Sequence, residues 1–430
     1  MVSNEAQGSS KLDVAILASE WDASNGVPST TIRELGIQLA KHEGDVNVKF
    51  FLRKCSEMDK RAAQSYGISI FPVTDFKEVE CLSSPPDYLK MDVVVGHGVE
   101  LGRQALNICK LLDCKWVQLV YNDPEIRTCK PNSNMDVRKL CEKADFVVAI
   151  GPKLTETFRT YLSWREKREY VFDFTPGVFA DFEPLEQDTE NRKHHSVLVF
   201  GHGDAENFDL KDFDVVGKSV AEMPDTRLMF IGAHEIIDDV VDHFEGLGIP
   251  PNRLKVKAYV ESQEYLKRLF GETDLLLMPI ETEGFGIISL KAISAGLPVI
   301  VSKDSGFGES LSSIPFGSMF FLDSEYIKDT STWKMAIKKV WNKDRSLRLS
   351  EVRMLRHLYN EEYGWPQQCK SLIDKMVRLR DGTLSVPEIT AHAVGARKLK
   401  RNKDFTSKQG DRSKFAAPKR SNMHIMSFVF

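Results

Sequence analysis

Long apolar runs are missing from this chain. No stretch of even a dozen apolar residues occurs and mean hydropathy is −0.28, so no bilayer-crossing helix is expected. The start, MVSNEAQGSSKLD, has no basic segment followed by an apolar one. No signal peptide is therefore expected, and the cytoplasm is the expected location. C-x-x-C spacing is absent as well. The seven cysteines (Cys55, Cys81, Cys109, Cys114, Cys129, Cys141, Cys369) are odd in number and scattered, several within apolar segments. That pattern reads as buried or free thiols rather than a disulfide framework or a metal site. Neither half carries a G-x-G-x-x-G after its first strand, which argues against a dinucleotide oxidoreductase. No specific nucleic-acid motif is found, and neither a metal nor an organic cofactor is expected.

What is present is an ordinary globular balance, 42% apolar and 28% charged, in 430 residues. That length exceeds what one hydrophobic core usually spans, so two domains are expected. The net charge of −4 hides an asymmetry: between Ala391 and Arg420 ten basic residues stand against Asp404 and Asp411. This stretch reads as a solvated extension with little apolar periodicity, a weak contact with an anionic surface being the alternative.

From Leu12 onward, short β-branched runs alternate with helical patterns, the mark of a parallel sheet wrapped by helices. Strands are expected at 12–18, 46–52, 91–96, 116–120 and 145–150. Between the first two, Ile32, Leu35, Ile37 and Leu39 form the apolar stripe of a helix that Gly44 is expected to cap. The polar stretch EPLEQDTENRKHH (183–195) offers almost nothing to bury. After it the rhythm restarts, with strands expected at 196–200, 227–232, 254–258, 274–279, 297–302 and 318–322. A helical region, 333–380, is interrupted at Gly364, Trp365 and Pro366, where the chain can turn back toward the first domain.

In open α/β sheets ligands bind beyond the carboxyl ends of the strands. The densest such loop is ETEGFGIISLKAISAGLPVIVS (281–302), where strand DLLLMP runs into Glu283-Gly284-Phe285-Gly286 and then a helix. Free N–H groups at a helix start attract phosphate, and glycines admit a ligand close to the backbone. A purely structural turn fits E-G-F-G by itself equally well. His97 follows its strand between two glycines and fits either a ligand contact or a packed interdomain residue. Asp212-Phe213-Asp214 mimics a metal-binding D-x-D, but its place at a helix start suits acidic residues for electrostatic reasons.

The span from Ser196 to Leu311 resembles the donor domain of retaining family 4 glycosyltransferases. The E-G-F-G loop, Ala292, Gly296, Pro298, Val299, Ser305-Gly306 and Glu309 match the family's order and spacing, and VLVFGHGDAENFDLKDF resembles its first strand and phosphate loop. The first half fits more loosely: SNGVPSTTIRELGIQLA resembles the family's glycine loop, reduced to Asn25-Gly26, ADFVVAIGPKLTETF its A-D-x-V segment, and TPGVFADF its N-G-V close. Tyr121-Asn122-Asp123 stand where many members have a His. The likeness covers residues 12 to about 380.

The resemblance implies an α/β fold of the GT-B type, two Rossmann-like doubly wound domains facing across a cleft. The expected division is a disordered N-terminus (1–10), an acceptor-side domain (11–183), a linker (184–195), a donor domain (196–362), a helix crossing back (363–383) and a basic tail (384–430). It also implies transfer of a hexose from a UDP- or GDP-sugar, with retention, to an unknown acceptor. Glu283 and Lys211 are the implied catalytic residues, and His97, from its own place between two glycines after a strand, is the third catalytic candidate. Gly26, His202, Lys211, Gly284, Phe285, Gly286, Ile287 and Lys291 are the implied donor contacts. Two positions depart from the family. His202 replaces an Arg that reaches the diphosphate, and Lys291 replaces the second Glu of the Glu-seven-Glu motif, which accepts hydrogen bonds from the ribose diol. An ammonium has donors only, so it cannot copy a carboxylate, though it can reach a phosphate. The other reading these departures support is a degenerate module that binds nucleotide sugar or carbohydrate as a sensor or scaffold.

Overall fold

The computed structural model describes residues 11–21, 27–72, 90–122, 133–164, 167–182, 194–201, 210–232, 236–259, 262–280 and 284–384. Most of the expected linker and all of the basic tail after Leu384 lie outside the described residues.

Two parallel sheets organise the chain. The first holds β1 (Leu12–Ala18), β2 (Val46–Leu52), β3 (Ser69–Pro72), β4 (Val93–His97), β5 (Lys115–Val120), β6 (Phe146–Ile150) and β7 (Val171–Phe174), in the order β3-β2-β1-β4-β5-β6-β7. The second holds β8 (His195–Phe200), β9 (Thr226–Gly232), β10 (Leu254–Ala258), β11 (Leu275–Met278), β12 (Val299–Ser302) and β13 (Phe321–Leu322), in the order β10-β9-β8-β11-β12-β13. Helices flank both. The central strands β1, β4, β6 and β11 are buried at every residue. Their near-continuous apolar runs are what a parallel sheet covered on both faces requires.

Three expectations need correction. The four-residue strands β3 and β7, each at a sheet edge, were not expected, because a short edge strand leaves little periodic signal and β3 ends on Pro72. The strand expected at 318–322 is mostly a 3-10 turn, Gly317–Met319, and only Phe321–Leu322 pair with β12. Helix Val27–Ala40 buries Ile32, Leu35, Ile37 and Leu39 but stops before Gly44, which lacks the left-handed backbone of a cap. The turn there is closed by the His42 N–H on the Leu39 carbonyl.

Three helices, Thr330–Trp341, Arg345–Tyr363 and Trp365–Arg380, end the described chain. Pro366, in the first turn of the last one, lacks an N–H that would have no partner there anyway, so the chain bends at Gly364 without losing a helical bond. That bend returns the chain to the first sheet. The Trp365 ring lies 5.8 Å from that of Phe174, and its Nε1 donates to the Val178 carbonyl at 3.0 Å.

Candidate functional site

In each sheet the strand order reverses at one point, between β1 and β4 in the first and between β8 and β11 in the second. The crevice beyond the carboxyl ends of such a pair is where a doubly wound sheet binds ligands. His97 ends β4, and the loop carrying Gly284 and Gly286 follows β11. Gly26, His202 and Glu283 follow β1, β8 and β11 in the sequence, and all three lie outside the described residues.

His97 is buried, with Nδ1 3.4 Å from the Tyr121 hydroxyl oxygen just past β5. Gly98 beside it takes φ 58°, and a Cβ there would stand 3.1 Å from that hydroxyl. Burial pushes the His97 pKa down to about 4, against the pull of the Leu17 carbonyl, and pushes Tyr121 up to about 12. Both rings are therefore neutral at pH 7. They can share hydrogen bonds with a ligand but bring no charge to it.

The donor-side loop is built by close approach. A Cβ on Gly284 would stand 2.2 Å from the Tyr121 carbonyl, and one on Gly306 2.6 Å from the Gly284 carbonyl. Gly286 takes φ 87° as the N-cap of helix Ile287–Ser294, and its carbonyl accepts from the Ser289 and Leu290 N–H groups. The Phe285 ring is buried against Gly151, which follows β6, and packs edge-on to Phe307. The side chains of Phe285 and Ile287 thus belong to the core, and only their backbone is left for a ligand. Further links join the halves: the Lys153 ammonium donates to the Asp304 carbonyl at 2.7 Å and the Phe179 N–H to Ser294 Oγ at 3.0 Å.

Lys291 is buried on the same helix, only 4% exposed. Its ammonium lies 3.5 Å from Thr30 Oγ1 in the first half, 5.7 Å from the Phe182 ring and 5.9 Å from that of Phe179. Sequence reasoning singled out this lysine but not its partners, which are distant in the chain. Lys211 stands exposed in the 3-10 turn Leu210–Phe213 that leads into helix Asp214–Ala221. Within the D-x-D mimic, Phe213 is core and the Asp214 carboxylate meets Lys218 at 2.8 Å and His243 at 2.9 Å. No group of three or more His, Cys, Asp or Glu able to hold a metal occurs among the described residues. Nor is any helix among them long and apolar enough to cross a membrane.

The family model for family 4 glycosyltransferases in conflict systems matches residues 15–372. The chain belongs to that family. The sulfoquinovosyl transferase of Arabidopsis thaliana is 25% identical over 112 residues, 26% of this chain. The match spans 21% of that relative's length. Among solved structures, the sucrose-phosphate synthase of Thermosynechococcus elongatus aligns with a TM-score of 0.63 at 16% identity, covering 85% of this chain and 99% of that one. Anabaena Alr3699/HepE, solved with UDP and glucose, aligns at 0.59 and 13% identity, covering 84% and 98%. These likenesses identify the fold as GT-B.

Proposed function

We propose that this glycosyltransferase moves a hexose from a UDP-sugar to an acceptor with retention of the anomeric configuration. The observation that carries the reading is the placement of His97 and the Gly284–Gly286 loop at the switch points of two sheets, linked across the Gly284–Tyr121 contact. A structural neighbour solved with UDP and glucose supports the choice of UDP. In this scheme the diphosphate lies at the start of helix Ile287–Ser294, where N–H groups without helical partners and the helix dipole favour negative charge. Lys211 and His202 complete that cradle, Gly26 brings backbone N–H groups from the first half, and Glu283 is the carboxylate set beside the transferred sugar.

Leaving-group departure builds charge on the diphosphate while the sugar becomes oxocarbenium-like. Fixed N–H dipoles and the Lys211 ammonium stabilise that charge without reorganising. The His97 ring, neutral and linked to Tyr121, orients a sugar hydroxyl. We assign no metal to the step, since Asp214 of the D-x-D mimic is already held by Lys218 and His243.

The test is calorimetric titration with UDP, GDP and their sugars, paired with detection of released or transferred sugar. Binding of UDP with turnover of one UDP-sugar is expected. Lys211→Ala should weaken UDP by about 1.5–3 kcal/mol, the worth of a hydrogen bond to a charged group. Tight binding with no sugar released or transferred across the panel would sink the enzyme reading.

A further inference from the structure

Cys109 and Cys114 take no part in the site described above. Cys109 lies in the last turn of helix Glu100–Leu111, and Cys114 in the short connection to β5. The Leu112 N–H donates to the Ile108 carbonyl and the Cys114 N–H to the Leu112 carbonyl, both at 2.8 Å. These bonds fold the connection back on the helix and bring the two sulfurs to 3.3 Å. Both thiols are half-buried, so a small reagent can reach them, whereas Cys141 and Cys369 are buried in the core. The thiol–thiol hydrogen bond holds Cys114 below the usual thiol range, with burial and the nearby Asp145 and Asp113 opposing, and raises Cys109. One sulfur is thereby the better nucleophile and the other stands ready as a resolving thiol.

We propose that Cys109 and Cys114 form an oxidation site that hydrogen peroxide converts to a reversible intramolecular disulfide. The Cys114 thiolate attacks a peroxide oxygen, the O–O bond breaks, and the departing hydroxide takes up a proton to leave as water. Cys114 is then a sulfenic acid. The Cys109 sulfur gives up its proton and attacks the Cys114 sulfur. The S–O bond breaks, and the hydroxide leaves with that proton as a second water. Two thiols have lost two electrons and the peroxide has gained them. Forming the bond closes the sulfurs from 3.3 Å to the ~2.0 Å of a disulfide.

The position gives the bond a consequence. Helix Glu100–Leu111 begins three residues after His97, and β5 ends one residue before Tyr121. The disulfide would join the far ends of the two elements whose near ends carry the His97–Tyr121 pair.

The experiment uses the full chain, reduced, freed of reductant and treated with hydrogen peroxide. Remaining thiols are alkylated and the protein is digested with trypsin without reduction. Cleavage after Arg103, Lys110 and Lys115 puts Cys109 and Cys114 on separate peptides, 104–110 and 111–115. The expected product is these two peptides joined, two hydrogens lighter than the pair and separated again by dithiothreitol. It should accumulate before Cys141 or Cys369 reacts. In Cys109→Ser the sulfenic acid on Cys114 should persist and be captured by dimedone. Recovery of both wild-type peptides singly alkylated, or Cys114 joined to another cysteine or another chain, overturns the proposal. The wild type alone decides this if a serine variant fails to fold.

Discussion

At the scale of single residues, Lys291 and His97 carry the consequences. A buried ammonium beside two ring faces and a hydroxyl gains cation–π attraction of about 0.5–2 kcal/mol, which a neutral side chain of similar length loses. Lys291→Met should therefore lower stability by about that much in urea melts. If the ammonium also faces the diphosphate, UDP affinity should fall with it. Lys291→Glu replaces the ammonium, a donor only, with a carboxylate that can accept hydrogen bonds from ribose hydroxyls. It should alter UDP affinity while leaving some turnover, whereas Glu283→Ala should abolish turnover, both read by the same titration and product assay. His97 predicts a pH effect. Its folded pKa near 4 lies below the unfolded value near 6.5, so the unfolded chain binds the extra proton between those values. The contribution is fully present above about pH 6.5 and is lost as pH falls toward 4, by roughly 3 kcal/mol in all. His97→Asn should flatten the stability profile in that window, and an unchanged slope would place its source elsewhere. The sequence marked both residues as unusual, but neither their burial nor their partners could be read there.

At the scale of elements, two contacts hold the loops in place. Gly151, with φ 86° and ψ 164°, occupies backbone space open mainly to glycine, and a Cβ there would stand 2.4 Å from the Phe285 ring. Gly151→Ala should cost about 1–3 kcal/mol for the backbone, plus overpacking of similar size. UDP affinity should fall as well, because the displaced ring precedes the helix N-terminus. The second contact is a buried ion pair between Arg345, which opens helix Arg345–Tyr363, and Asp274, directly before β11. Asp274 also accepts from the Ser196 N–H at 2.9 Å and hydroxyl at 3.0 Å. Arg345→Met removes the counter-charge of a buried carboxylate and should destabilise by about 3–5 kcal/mol in denaturant titration. Element positions were largely legible because β-branched runs and amphipathic stripes are local patterns. The misses, β3, β7 and the turn before β13, fall where strands are two to four residues long and pairing is one-sided.

At the scale of the whole molecule, the compact unit ends at Leu384. Truncation there should leave the melting temperature of the body nearly unchanged, and a large drop would mean that the tail supports it. Truncation after Tyr363 should behave differently. It removes Trp365, Cys369, Leu372, Ile373 and Met376, all buried in the core that includes β1 and helix Val27–Ala40. At ~1.5–3 kcal/mol for each large apolar side chain, the loss matches the ~5–15 kcal/mol of a typical domain. That shorter chain should melt without a cooperative transition in calorimetry.

The amino-acid sequence by itself determined the parallel α/β class, nearly every central strand, the break at Gly364 and the family likeness of the E-G-F-G loop. All of these are written in windows of a few to some twenty residues, the range over which periodicity and turn chemistry act. The tertiary structure alone decided that Lys291 meets Thr30, that Gly284 abuts the Tyr121 carbonyl, and that burial keeps His97 neutral. Those outcomes depend on which distant segments meet and how much water they exclude, and neither the contact nor the dielectric around a side chain exists until both halves of the chain have packed.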